Sequence, residues 1–242
     1  MANKPKTQTK AQERARRGRV EAMRKAEAAK ERRKSQLFYG IVVLVAIALI
    51  AAVAVPTYLK KRNDPANKAL SSFGVSAAAA SCSAPATSKD TNTAALRTHV
   101  ADGTVEKYKT IPPSYGPHWN PGVVSPKAFY TKANRPPMER LVHTQEHGYT
   151  DIWYDATVTG KQLSALKDLA VSARKNKATA GKVIVSAWDP AYGAFPAGKH
   201  IAMAHWGSKN SVTQMCGQVS GAAVKTFIEA NPASSSPEPG GY

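Results

Sequence analysis

The sequence predicts an α+β domain, with a small mixed or antiparallel sheet and two main helices, behind one transmembrane helix and a basic arm. Three observations predict it. Residues 38–59 form an uncharged apolar run. Residues 1–36 hold 13 Lys and Arg against 4 Glu. Beyond residue 82, short stretches dense in β-branched and aromatic residues are interleaved with stretches of helical apolar spacing.

The arm, residues 1–36, carries a net charge of +9, half of the chain's +18. It is rich in helix formers but lacks an apolar stripe wide enough to build a core. It reads as a solvated, partly helical segment attracted to anionic lipid. It has no interleaved aromatics and no recognisable nucleic-acid module, which argues against a nucleic-acid partner. The high isoelectric point, about 10.0, therefore reports membrane topology.

The anchor, residues 37–59, is long enough to span a bilayer, and Tyr39 and Tyr58 sit near its ends where aromatic belts form. The positive-inside rule sets the arm in the cytoplasm and the rest outside the cell membrane. Lys60, Lys61 and Arg62 oppose that orientation but are outnumbered by the arm. The alternative is a cleaved signal peptide with its site at Ala52-Val-Ala54. The basic region and the apolar run are both longer than such a peptide needs.

Residues 60–81 read as an Ala/Ser/Asn/Pro-rich linker, residues 82–230 as the extracytoplasmic domain and residues 231–242 as a disordered tail. Cys82 and Cys216 both fall outside the membrane, and two thiols in an oxidising compartment most simply form one disulfide. A hairpin is expected from Arg97–Val100 and Val105–Tyr108 around Asp102-Gly103. Residues 149–154 and 182–188 read as strands, and 200–206 as a third. Residues 159–174 and 222–231 read as helices.

The candidate chemistry lies between these elements. Arg140-Leu-Val-His-Thr-Gln-Glu-His-Gly148 sets His143, Glu146 and His147 on one short segment, with both imidazoles on one helical face if it is helical. Upstream, the long Pro/Gly-rich stretch 112–137 opens with Pro112-Pro-Ser-Tyr-Gly-Pro-His118, a stiff segment that presents His118. Three imidazoles from two segments, with an open position, is the pattern of an exchangeable or catalytic metal site. The expected ligands are His118, His143 and His147 for a divalent metal or copper ion, with Glu146 as orienting partner or base. The same residues also suit a buried hydrogen-bonded network. His99, His200 and His205 read as structural or surface residues.

His143-Thr-Gln-Glu-His147 also matches the H-x-x-E-H pattern of inverted zinc peptidases. Gly148 stops any helix at once, and after His147 the remaining glutamates are Glu229 and Glu238. A metal-dependent envelope hydrolase using His143, Glu146 and His147 is therefore an alternative. A non-enzymatic envelope interaction protein with structural histidines is another.

The Pro112–His118 segment and Leu141-Val-His-Thr-Gln-Glu-His-Gly148, followed by Ile152-Trp-Tyr154, resemble domain-of-unknown-function family 3105. The likeness runs over about residues 82–230. Family members more often read Pro-Pro-Thr-Ser-Gly before the histidine, and Asn-Leu where this chain has Thr144-Gln145. The resemblance implies an actinobacterial extracytoplasmic domain behind a single anchor. It implies the His118, His143, Glu146 and His147 cluster, and no particular reaction.

Overall fold

The computed structural model describes residues 6–241. The chain divides into an N-terminal unit ending at Lys61 and a second unit beginning at Arg62. The first is formed by helix α1, Lys6–Asn63, whose last two residues fall past that boundary. Its most apolar window has a mean hydropathy of 2.9, so the helix is long and apolar enough to cross a membrane. Leu44, Ile50 and Val53 are among the large apolar side chains it leaves exposed.

The second unit is a six-stranded mixed sheet with helices on both faces, an α+β fold. Its strands are β1 (Ala86–Lys89), β4 (Phe129–Tyr130), β5 (Thr150–Tyr154), β6 (Val183–Ala187), β7 (Ile201–Trp206) and β8 (Asn210–Cys216), in the order β1-β8-β7-β5-β6-β4. A separate two-stranded sheet pairs β2 (His99–Val100) with β3 (His118–Trp119). The helices are α2 (Met138–Glu146), α3 (Gly160–Ala173) and α4 (Gly221–Ala230).

Strands β4, β5 and β6 run parallel, and β7 returns antiparallel beside β5. The connection β4-α2-β5 crosses the sheet in one direction, and β5-α3-β6 crosses it in the other. Right-handed crossovers in opposite directions place their helices on opposite faces. The core divides accordingly. Leu166 and Leu169 of α3 and Val224 and Phe227 of α4 pack with Ile152, Val185 and Met203. Met138 and Leu141 of α2 pack with Trp153, Ile184 and Trp188 on the other face. Odd and even residues of β5 thus serve different cores, and all five are buried.

The predicted strands at 149–154, 182–188 and 200–206 and both predicted helices form within a residue or two of expectation. In α3, Leu166, Leu169, Ala170 and Ala173 are fully buried at helical spacing. In α4, the Ser220 side chain accepts from the Ala223 amide and caps the first turn.

Three expectations change. The hairpin around Asp102-Gly103 does not form. His99–Val100 instead pairs in parallel with His118–Trp119, and residues 105–108 form no strand. The stretch 60–81 is not a free linker. Leu70, Phe73 and Ala80 are buried in the α3/α4 core, and the Gly221 amide donates to Phe73 O at 2.7 Å. The tail 231–242 is ordered through Gly241. Ala233 and Ser236 are buried, Ser208 N donates to Ser235 O at 2.6 Å, and Lys182 Nζ donates to Pro239 O and Gly241 O at 2.8 and 2.9 Å. Both segments have few large apolar groups, and backbone hydrogen bonds to the domain supply much of what composition does not. Cys82 and Cys216 are joined in a disulfide, which ties the start of the domain to the end of β8.

Candidate metal centre

Parallel, in-register pairing of β2 with β3 sets His99 directly opposite His118. Their rings meet edge to face at 5.0 Å. Helix α2 lies against β3 and brings His143 to both. It stacks on His99 with ring centroids 5.0 Å apart and meets His118 at 4.7 Å. One turn later come Glu146 and then His147, before Gly148 takes φ 92° and turns the chain into β5. A Cβ at Gly148 would stand 2.6 Å from Ala233 O, so the tail's close approach also requires glycine there.

The imidazoles are oriented by backbone carbonyls. His118 Nδ1 donates to Gly116 O at 2.8 Å, and His143 Nδ1 donates to Trp119 O at 2.7 Å. His147 Nδ1 donates more weakly to Glu238 O at 3.2 Å. A carbonyl can only accept, so in each neutral ring the proton sits on Nδ1 and Nε2 presents a lone pair. Two consequences follow. His143 Nε2 and His147 Nε2 lie 2.9 Å apart, close enough to share a proton or a cation. His118 Nε2 is fully buried, 3.1 Å from Glu146 Oε2, and no well-directed hydrogen bond reaches it. Carbonyl-anchored imidazoles with Nε2 turned inward are the usual surroundings of a metal ligand.

Donor atoms of His99, His118, His143 and Glu146 all lie within 4.8 Å of one another. Glu146, His147 and Glu238 form an adjoining group. The structure thus brings His118, His143 and Glu146 together, places His147 beside His143, and adds His99. His99 was read from sequence as structural or surface. No local pattern marks it, because its role comes from pairing with a strand nineteen positions later.

Two further groups lay outside the sequence reading. Arg97 Nε donates to Glu146 Oε1 at 2.5 Å, and the same guanidinium pairs with Glu238. Burial alone would raise the Glu146 carboxyl. His118 and Arg97 beside it overrule that and hold it at about 2. Gln145 Nε2 donates to Pro113 O at 3.2 Å and to Asp151 Oδ2 at 3.0 Å, which fastens the His118 loop to α2. Complete burial pushes the Asp151 carboxyl well above its ordinary range. Burial and the neighbouring imidazoles lower His143 to about 4, and burial lowers His147. His205 and His200 lie outside the cluster. His205 is buried on β7 between Thr150 and Ser235, and His200 pairs with Asp155.

A site of three or four imidazoles and one carboxylate suits zinc or copper, whose borderline character favours nitrogen donors. It suits calcium and magnesium poorly, because those ions take oxygen. No curated protein and no solved structure matches the chain. The family described as "Protein of unknown function (DUF3105)" matches residues 99–242, which takes in the whole cluster from His99 to Glu238. The chain belongs to that family, protein of unknown function DUF3105.

Proposed function

We propose that this protein is a single-pass membrane protein whose extracytoplasmic domain binds one divalent metal or copper ion. His118 Nε2, His143 Nε2 and Glu146 are the central donors. His99 completes the set of four, and His147 Nε2 stands 2.9 Å from the same His143 nitrogen. The observation that carries the reading is the buried His118 Nε2, which stands 3.1 Å from a Glu146 carboxylate oxygen without a well-directed hydrogen bond. A cation there would satisfy both groups. Bound metal would supply Lewis acidity, or redox chemistry if it is copper.

The residues around the site favour binding over hydrolysis. A general base works best with a pKa near the operating pH. Glu146 sits at about 2 and is engaged by Arg97, so it serves as ligand and charge partner rather than base. Helix α2 also ends at Glu146, without the long helix that carries the peptidase motif.

Membrane attachment rests on the apolar window of α1, and orientation on its flanks. The 13 cations before the run favour a cytoplasmic N-terminus near anionic lipid by the positive-inside rule. The Cys82–Cys216 disulfide supports an oxidising compartment for the domain.

The test is a metal titration of the full chain in phospholipid nanodiscs, read by thermal melting. A ligand at 100 times its Kd stabilises the native state by about 2.7 kcal/mol. Zinc or copper should raise the melting temperature of the wild type and leave His118→Ala unchanged. An unmoved wild-type melt with either ion refutes the proposal.

A further inference from the structure

A second site lies at the opposite end of the sheet. The residues that follow the carboxyl ends of the three parallel strands β4, β5 and β6 enclose a cleft of about 450 Å³. In open sheets with helices on both faces, the crevice beyond the carboxyl ends of parallel strands is where ligands bind. The volume lies in the range of small-molecule sites. The histidine cluster adjoins the start of β5, while Asp155 in the cleft follows its end, so the two are separated by on the order of 15 Å of strand.

The cleft is built from rigid apolar surface. Trp188 and Phe195 pack at 4.7 Å with their planes tilted by 38°. The Trp188 indole donates to Gly193 O at 2.8 Å, which fixes the ring against its own loop. Arg135 donates to Trp188 O at 2.9 Å and pairs with Asp189 at 2.6 Å, so its charge is spent holding the wall. Lys132 lines the rim and has no ion-pair partner among the described residues. His200 also lines the cleft. Asp155 Oδ2 accepts from its Nδ1 at 2.8 Å, and Thr157 donates to the other carboxylate oxygen at 2.5 Å. The single acidic group of the lining is therefore already satisfied and does not oppose an anion.

We propose that this cleft binds a small molecule with a flat apolar body and one anionic group. The body lies against Trp188 and Phe195. The anionic group meets Lys132 on the rim. The site is independent of the metal centre and stands or falls separately from it.

The probe is 2-naphthoate, compared with its neutral carboxamide, on the full chain in nanodiscs by saturation-transfer NMR, with empty nanodiscs as control. The acid should bind saturably and at least about fivefold tighter than the amide. Lys132→Glu, at an exposed position, should weaken the acid about fivefold or more and leave the amide unchanged. Phe195→Ala should weaken both, and His118→Ala neither. The proposal is overturned by any of three results. They are no saturable binding of the acid above empty nanodiscs, equal affinity for acid and amide, or acid binding indifferent to Lys132→Glu.

Discussion

Replacing Cys82 and Cys216 together by serine removes a covalent tie across 134 positions of chain. Its effect falls mainly on the unfolded state. In the folded domain the two ends are also held by hydrogen bonds. Ser83 N donates to Met215 O at 2.8 Å, and Gly217 N and Gln218 N donate to Ala80 O at 2.8 and 3.2 Å. The native structure should therefore persist without the bridge. In the unfolded chain, opening a loop of this length restores about 17 cal/mol/K of entropy, or about 5 kcal/mol at 25 °C. Spread over roughly 180 residues at about 2.1 cal/mol/K each, that lowers the melting temperature by about 13 °C. The assay is calorimetry on the full chain in nanodiscs, with near-ultraviolet circular dichroism to follow the packing of Trp153, Trp188 and Trp206. The expected result is an unchanged native spectrum and a melt lowered by 10 °C or more. A shift of under about 3 °C would refute the entropic reasoning. Loss of the native spectrum would show that the bridge, and not the bonds around Ala80, holds the two ends together.

Acidification should destabilise the domain through buried histidines. Burial holds His205 at about 4, partly opposed by a hydrogen bond with the Tyr149 backbone. An unfolded imidazole titrates near 6.5, so the stability His205 contributes is complete above that pH and is lost as pH falls towards 4, a total of about 3 kcal/mol. His143 is also held near 4 and titrates over the same window. Denaturant titrations across that range should show the fall, and His205→Gln should remove about half of its slope; an unaltered slope would contradict the assignment. Arg97→Ala should strip the buried Glu146 of its cation and destabilise the apo protein by about 3 kcal/mol. It should also speed hydrogen exchange at the Glu238 amide, which donates to Glu146 O at 3.0 Å. Equal exchange in both proteins would mean that Arg97 does not secure the tail.

The elements legible in the sequence are those whose side chains repeat with a period. Thr150–Tyr154 and Val183–Ala187 are buried on both faces and read as strands because they are dense in β-branched and aromatic residues. Leu163, Leu166, Leu169 and Ala170 mark α3. Strand β8 escaped notice because Asn210-Ser-Val-Thr-Gln-Met-Cys216 is half polar, and its order comes from pairing with β7. Strand β1, Ala-Thr-Ser-Lys, is mostly exposed at the sheet edge and has no apolar signal at all. At the site, His118, His143, Glu146 and His147 stand in two compact motifs and could be found by spacing. His99, Arg97 and Glu238 could not, because each reaches the cluster through a long-range contact: a β2–β3 pair, an ion pair 49 positions away, and a tail held by single hydrogen bonds. The hairpin expected around Asp102-Gly103 shows the same limit. A good turn dipeptide was present, but residues 99–100 found a better partner beyond it.

The central claim is that His118, His143 and Glu146 hold a metal ion, and X-ray absorption at the metal edge tests it most directly. The full chain, loaded with one equivalent of zinc and freed of excess, should show multiple scattering from at least two imidazoles at about 2.0–2.1 Å, with an oxygen donor in the same shell. The His118→Ala, His143→Ala double variant should lose both the pattern and the bound ion. Zinc surrounded by oxygen alone in the wild type, or an imidazole pattern that survives in the double variant, would contradict the account.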